Sequence, residues 1–116
     1  MPFVVRAFPL RATHDALANF ASELKGRRAA DASRFYRAYG VRAESWHLQN
    51  TPIGPWVIAV TELDDPAEAA PRYAQASEEF HAWFKAEVLS LTGVDPNVTP
   101  LGPPTTEVFT WSDAAA

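Results

Sequence analysis

The feature that most constrains this chain is a pair of alternating stretches, residues 42–49 and 56–63, separated by Asn50-Thr51-Pro52-Ile53-Gly54-Pro55. A period of two sends successive side chains to opposite faces of a strand. Two such runs joined by a short, turn-rich segment predict an antiparallel hairpin. A lone hairpin is marginal in water, so this one needs a further strand or a helix against one of its faces.

The flanking sequence supplies both. Residues 3–10 are rich in β-branched and aromatic types and end around Pro9, which predicts a first strand. Thr13 is placed to cap a helix, with Asp15 at the positive end of its dipole. Leu17, Phe20, Ala21 and Leu24 follow at helical spacing, and Gly26 weakens that helix near its end. A second helical stretch starts around Asp31, carries Ala32, Phe35 and Tyr39 on one face, and stops at Gly40. Asp64-Asp65-Pro66 closes the hairpin and opens one long helix over residues 67–92, with Phe80, Phe84, Val88 and Leu91 on its apolar stripe and Gly93 at its end. Pro96, Pro100, Pro103 and Pro104 predict a loop over residues 94–104, and residues 105–112 predict a last strand before a frayed tail at 114–116.

The order is β-α-β-β-α-β, with the first helix in two pieces. It predicts an α+β, ferredoxin-like domain over residues 1–113: a four-stranded antiparallel sheet with its helices on one face. A chain of 116 residues with 47% apolar composition suits one such core. There is no cysteine, which excludes disulfides and thiolate metal sites. A net charge of −4 argues against nucleic acid as a partner. The start, Met1-Pro2-Phe3-Val4-Val5-Arg6, reads as a strand rather than a secretory leader, and no apolar run is long enough to span a bilayer, so a cytoplasmic location is expected.

Alternation sorts the strand residues into two sets. One is small (Val5, Ala7, Ala43, Ser45, Val57, Ala59, Val108, Thr110) and is expected beneath the helices, where small side chains allow close approach. The other is large (Arg6, Phe8, Glu44, Trp46, Leu48, Trp56, Ile58, Val60, Glu62, Glu107, Phe109, Trp111) and is expected on the uncovered sheet face. So much aromatic surface is sticky on a monomer, which predicts a homodimer formed face to face. Charges among aromatics need partners, and Arg6 between Glu44 and Glu107 is the expected pairing.

Arg42-Ala43-Glu44-Ser45-Trp46-His47-Leu48, Val60-Thr61-Glu62-Leu63-Asp64-Asp65-Pro66-Ala67 and Ser77-Glu78-Glu79-Phe80-His81-Ala82-Trp83-Phe84 together resemble an uncharacterised bacterial family of the dimeric α+β barrel superfamily. The resemblance covers residues 3 to 95 and implies the same fold and dimer. The superfamily includes small monooxygenases, haem-degrading enzymes, muconolactone-isomerase-like proteins and plain ligand binders, and a shared fold does not choose among them.

Of the three histidines, His14 lies in the first turn of a helix and reads as a surface residue. His47 follows Trp46 and is expected on the helix side of the sheet, either as an acid/base group or as a hydrogen-bonded edge residue. His81 lies one helical turn after Ser77, so the two are within reach of each other. A serine nucleophile also needs an orienting acid and an oxyanion site, and no Gly-x-Ser-x-Gly elbow is present. Glu87 falls within the apolar stripe of the long helix and is expected to pair with Arg6 or an arginine of the first helix. No cofactor motif, metal-ligand spacing or phosphate loop is present. The ligand-binding candidates are therefore Arg6, Glu44, Trp46, His47, Trp56, Ser77, His81 and Glu107. They suit a small molecule held in an aromatic pocket with a few polar groups. Two alternatives stand beside this: a structural dimer without a cavity, and a cofactor-free monooxygenase-like or haem-handling enzyme. The residues themselves do not decide whether the chain is an enzyme.

Overall fold

A computed structural model describes residues 3–65, 67–69, 71, 78–98 and 105–113. Strand β1 (Phe3–Pro9) is followed by α1 (His14–Lys25), α2 (Ala29–Ala38), the hairpin β2 (Val41–Thr51) and β3 (Gly54–Leu63), and α3 (Glu79–Thr92). The sheet is antiparallel with order β1-β3-β2, so the second hairpin strand is central. The chain is thus α+β, with helices against one face of a three-stranded sheet.

Local chemistry explains the element ends. The Thr13 hydroxyl accepts from Ala16 N–H at 3.0 Å and caps α1. Gly40 (φ 72°) and Gly93 (φ 75°) take the left-handed conformation after α2 and α3, where a side chain would be strained. The hairpin turns at Pro52-Ile53, where Thr51 Oγ1 donates to the Gly54 carbonyl at 2.6 Å. The Asp65 carboxylate accepts from Ala67 N–H at 3.0 Å, as an N-cap does.

Three expectations are corrected. The helix expected over 67–92 is not continuous: residues 67–69 and 71 are helical, but Glu78 is extended (ψ 159°) and α3 starts anew after it. The last strand expected over 105–112 does not form. Thr105 N–H and Oγ1 both donate to the Val5 carbonyl at 3.1 and 2.6 Å, but residues 105–113 have no strand pairing and are exposed throughout. The described sheet therefore has three strands, not the four expected. Part of the 94–104 loop, Ser77 and the 114–116 tail lie outside the described residues.

The third correction concerns the faces. Alternation holds within each strand, but the phase between strands differs from expectation. On β3, small Val57 and Ala59 do face the helices and are 0% exposed. On the flanking strands the large residues face the same way: Phe8 of β1 is buried, and Arg6, Glu44 and Trp46 are largely buried. Val5, Ala43 and Ser45 lie on the other face and are exposed. The reason is steric. Above the small central row, rings from the two flanking strands meet: Phe8 and Trp46 stand edge to face at 5.9 Å. Phe20 of α1 packs on Trp46 at 5.4 Å and on Phe84 of α3 at 5.5 Å, while Phe35 of α2 packs on Phe84 at 4.6 Å. These rings form the core between the sheet and helices.

Enlarging the small central row should therefore be costly. Ala59→Leu is expected to lose about 1–3 kcal/mol by overpacking, whereas Ala86→Leu on the exposed side of α3 should stay within about 0.5 kcal/mol. Urea denaturation of both variants checks this.

Candidate functional site

The register builds a polar cluster at one end of the core. Thr61 of β3 pairs with Val4 of β1 on one side and with Glu44 of β2 on the other. Arg6, Thr61 and Glu44 consequently share the helix-facing side, and the small threonine lets the two long side chains meet across it. Arg6 Nη2 donates to Glu44 Oε1 at 3.2 Å and to Thr61 Oγ1 at 2.8 Å, and Thr61 Oγ1 donates to Glu44 Oε1 at 2.8 Å. The second carboxylate oxygen accepts from the Tyr36 hydroxyl of α2 at 2.6 Å and from the Trp46 indole at 3.3 Å. Both charged side chains are about nine-tenths buried, with 11% of Arg6 and 10% of Glu44 exposed. A buried carboxylate needs donors on both oxygens, and here Arg6 of β1, Thr61 of β3, Tyr36 of α2 and Trp46 of β2 provide them.

This cluster closes one end of a cleft between sheet and helices. Its other walls are apolar, including Phe8, Phe35, Phe84, Val88 and Leu63, and the cavity inside holds about 60 Å³. Tyr36 and Thr61 were not among the residues expected from sequence. A signal was available for Thr61, the polar residue on the apolar face of an otherwise hydrophobic strand. None was available for Tyr36, whose neighbour Phe35 carries the helical pattern.

A second polar site lies on the far side of Phe35. His81 of α3 is 8% exposed, and its Nδ1 is 3.2 Å from the Tyr39 hydroxyl. Burial lowers its pKa below the ordinary 6.5, opposed by the Glu78 carboxylate and assisted by Lys85. Burial, followed by Glu78, pushes the Tyr39 phenol up to about 12. Lys85 is also lowered by burial, and its ammonium donates to Asn97 Oδ1 at 3.1 Å. An open groove of about 460 Å³ beside His81 is lined by Arg28, Arg34, Asp31, Glu78 and Glu79. Arg34 is paired with Asp31, and the Arg28 guanidinium sits 4.2 Å from the centre of the Trp83 ring.

The expected candidates are therefore divided. Arg6, Glu44 and Trp46 come together, but beneath the helices rather than on the uncovered face. His47 is exposed on the uncovered face, not the helix side, with Ser45 Oγ 2.9 Å from its Nε2. Its neighbour Trp46 takes the helix side, so alternation sends His47 outward. Trp56 also lines the uncovered face, in a shallow apolar groove with Ala7, Ile53 and Ile58. His81 belongs to the second site. Glu107 does not flank Arg6: it lies in the unpaired, exposed segment after Thr105. Arg6 pairs with Glu44 rather than with Glu87, which is half-buried on α3. Among the described residues no group of three or more His, Asp or Glu side chains is arranged to hold a metal ion. No described helix is long and apolar enough to cross a membrane. No family model, curated protein or solved structure matches the chain.

Two expectations follow from this geometry. Glu44→Ala strands the buried Arg6 charge and should cost about 3–5 kcal/mol, whereas the double variant R6M/E44L, which removes both charges, should recover most of that loss; chemical denaturation of the three proteins measures it. Around His81, the folded state resists a proton that the unfolded chain accepts, so its stabilising contribution is present above pH 6.5 and lost as pH falls below that value. Tyr39 acts at the other limit, its contribution being lost as pH rises from 10.0 towards 12. His81→Gln should flatten the acid limb of a melting-temperature profile and leave the alkaline limb in place.

Proposed function

We propose that the chain binds a small, mostly apolar molecule with one polar end in the cleft between sheet and helices, and that it does so as a homodimer joined through the uncovered sheet face. The observation that carries the ligand reading is an aromatic-walled cleft that ends on the Arg6–Glu44–Thr61–Tyr36 cluster. Apolar walls with a few convergent polar groups are the usual composition of a small-molecule site. The Thr61 and Tyr36 hydroxyls are the groups best placed to shift their hydrogen bonds towards a guest, since each can rotate its proton. The dimer reading is supported by the exposed strand residues of the uncovered face, Phe3 and Val5 at 63% and 38%.

One observation favours the structural alternative. The cavity of about 60 Å³ falls well short of the roughly 300 Å³ at which drug-sized sites begin, and Glu44 already has donors on both oxygens from within the chain. A guest must therefore be small or must widen the cleft.

Thermal shift with phenol, benzyl alcohol, benzoate and indole separates the two. Under the ligand reading at least one raises the melting temperature in a saturable way, and Val88→Phe, which fills the cleft, abolishes the shift. If none shifts the wild type and Val88→Phe is the more stable protein, the cleft is a packing defect and the structural reading holds.

A further inference from the structure

We propose that residues 105–113 form an arm that a second copy of the chain receives in the groove at its hairpin end, and that this exchange is reciprocal. The inference rests on the homodimer reading above and goes beyond it by naming the segment and its seat. It does not depend on the ligand.

The arm is attached to β1 at Thr105, whose N–H and hydroxyl both bond the Val5 carbonyl. Beyond that point it leaves its own sheet. Its sequence Thr105-Thr106-Glu107-Val108-Phe109-Thr110-Trp111 is rich in residues of high β-propensity: threonine, valine and aromatics. Yet Val108, Phe109 and Trp111 are 92%, 81% and 76% exposed. Two large aromatics in a row of this kind are costly to leave in water and are typical anchors at protein interfaces.

The chain also carries a matching vacant surface. On the uncovered face, Trp56, Ile58 and Ala7 join the hairpin tip in an open groove of about 450 Å³. Among the described residues no charged side chain lines it, and Ile53 at its rim is 85% exposed. The chain's own arm does not occupy it. One molecule thus presents an arm with three exposed apolar side chains and an open, mostly apolar groove, and two copies satisfy both features by exchange. Each contact is the same in both directions, so the pair closes as a two-fold dimer and does not polymerise. The area is sufficient: an aromatic side chain buries about 150–250 Å², so two aromatics from each arm, with the surface they cover, bring the interface to the ~1,000 Å² that a specific complex needs.

The test uses the full chain in sedimentation velocity between 1 and 100 μM, with far-UV circular dichroism as the control for folding. Three proteins are compared: wild type, the arm variant F109S/W111S and the groove variant Ile53→Glu. The wild type is expected to dimerise, and each variant to weaken dimerisation at least tenfold with an unchanged spectrum. Mixing the two variants restores one intact arm-and-groove contact, so the mixture should dimerise more tightly than either variant alone. A monomeric wild type overturns both the dimer and the exchange, including the case in which the arm folds onto its own groove. Dimers unaffected by F109S/W111S overturn the exchange and leave a dimer through the sheet face. Loss in the arm variant, with Ile53→Glu unaffected, overturns the groove as its seat.

Discussion

The structure depends on how little space the central strand takes up. Val57, Ala59 and Thr61 project towards the helices from β3, and none is large. Neighbouring strands lie about 4.8 Å apart, so side chains from β1 and β2 are separated by twice that distance at their bases. They touch only because the row between them is low. Phe8 and Trp46 meet above Val57 and Ala59, and Arg6 and Glu44 meet above Thr61. The aromatic core and the polar cluster are thus two outcomes of one steric arrangement, apolar at one end of the row and ionic at the other.

The polar end has the features that make buried charge tolerable. Thr61 both donates and accepts, so it links the cation to the anion as well as spacing them. Tyr36 comes from α2 and ties the helix layer to the sheet through the same carboxylate. An ion pair of this kind contributes little net stability, because desolvation offsets the attraction, but it penalises any packing that separates its members. Its effect on the fold is therefore on the relative placement of α2, β1 and β2.

Much of the fold was legible from the sequence. The hairpin, the first strand, the Thr13 cap and the glycines after two helices are all local signals, and they appear where the pattern puts them. The phase of the faces was not legible, because alternation orders residues within a strand and carries no information about the next strand. Assigning small residues to the helix side held for β3 and failed for β1 and β2, where volume is balanced across strands rather than along one. The same error placed Arg6, Glu44 and Trp46 on the wrong face while still grouping them correctly. Residues 105–112 have the composition of a strand, but composition does not supply the neighbour with which to pair. His47 and Trp46 show the same limit at single-residue scale: knowing either side chain's direction settles the other's, and nothing local settles the first.

Phe35 lines both the cleft and the open groove beside His81. Its ring lies 4.9 Å from the imidazole and 4.6 Å from Phe84. One side chain is thus shared by the cleft that ends on the ion pair and by the groove bordered by arginines and glutamates. A smaller residue at this position would thin the wall that the two spaces have in common.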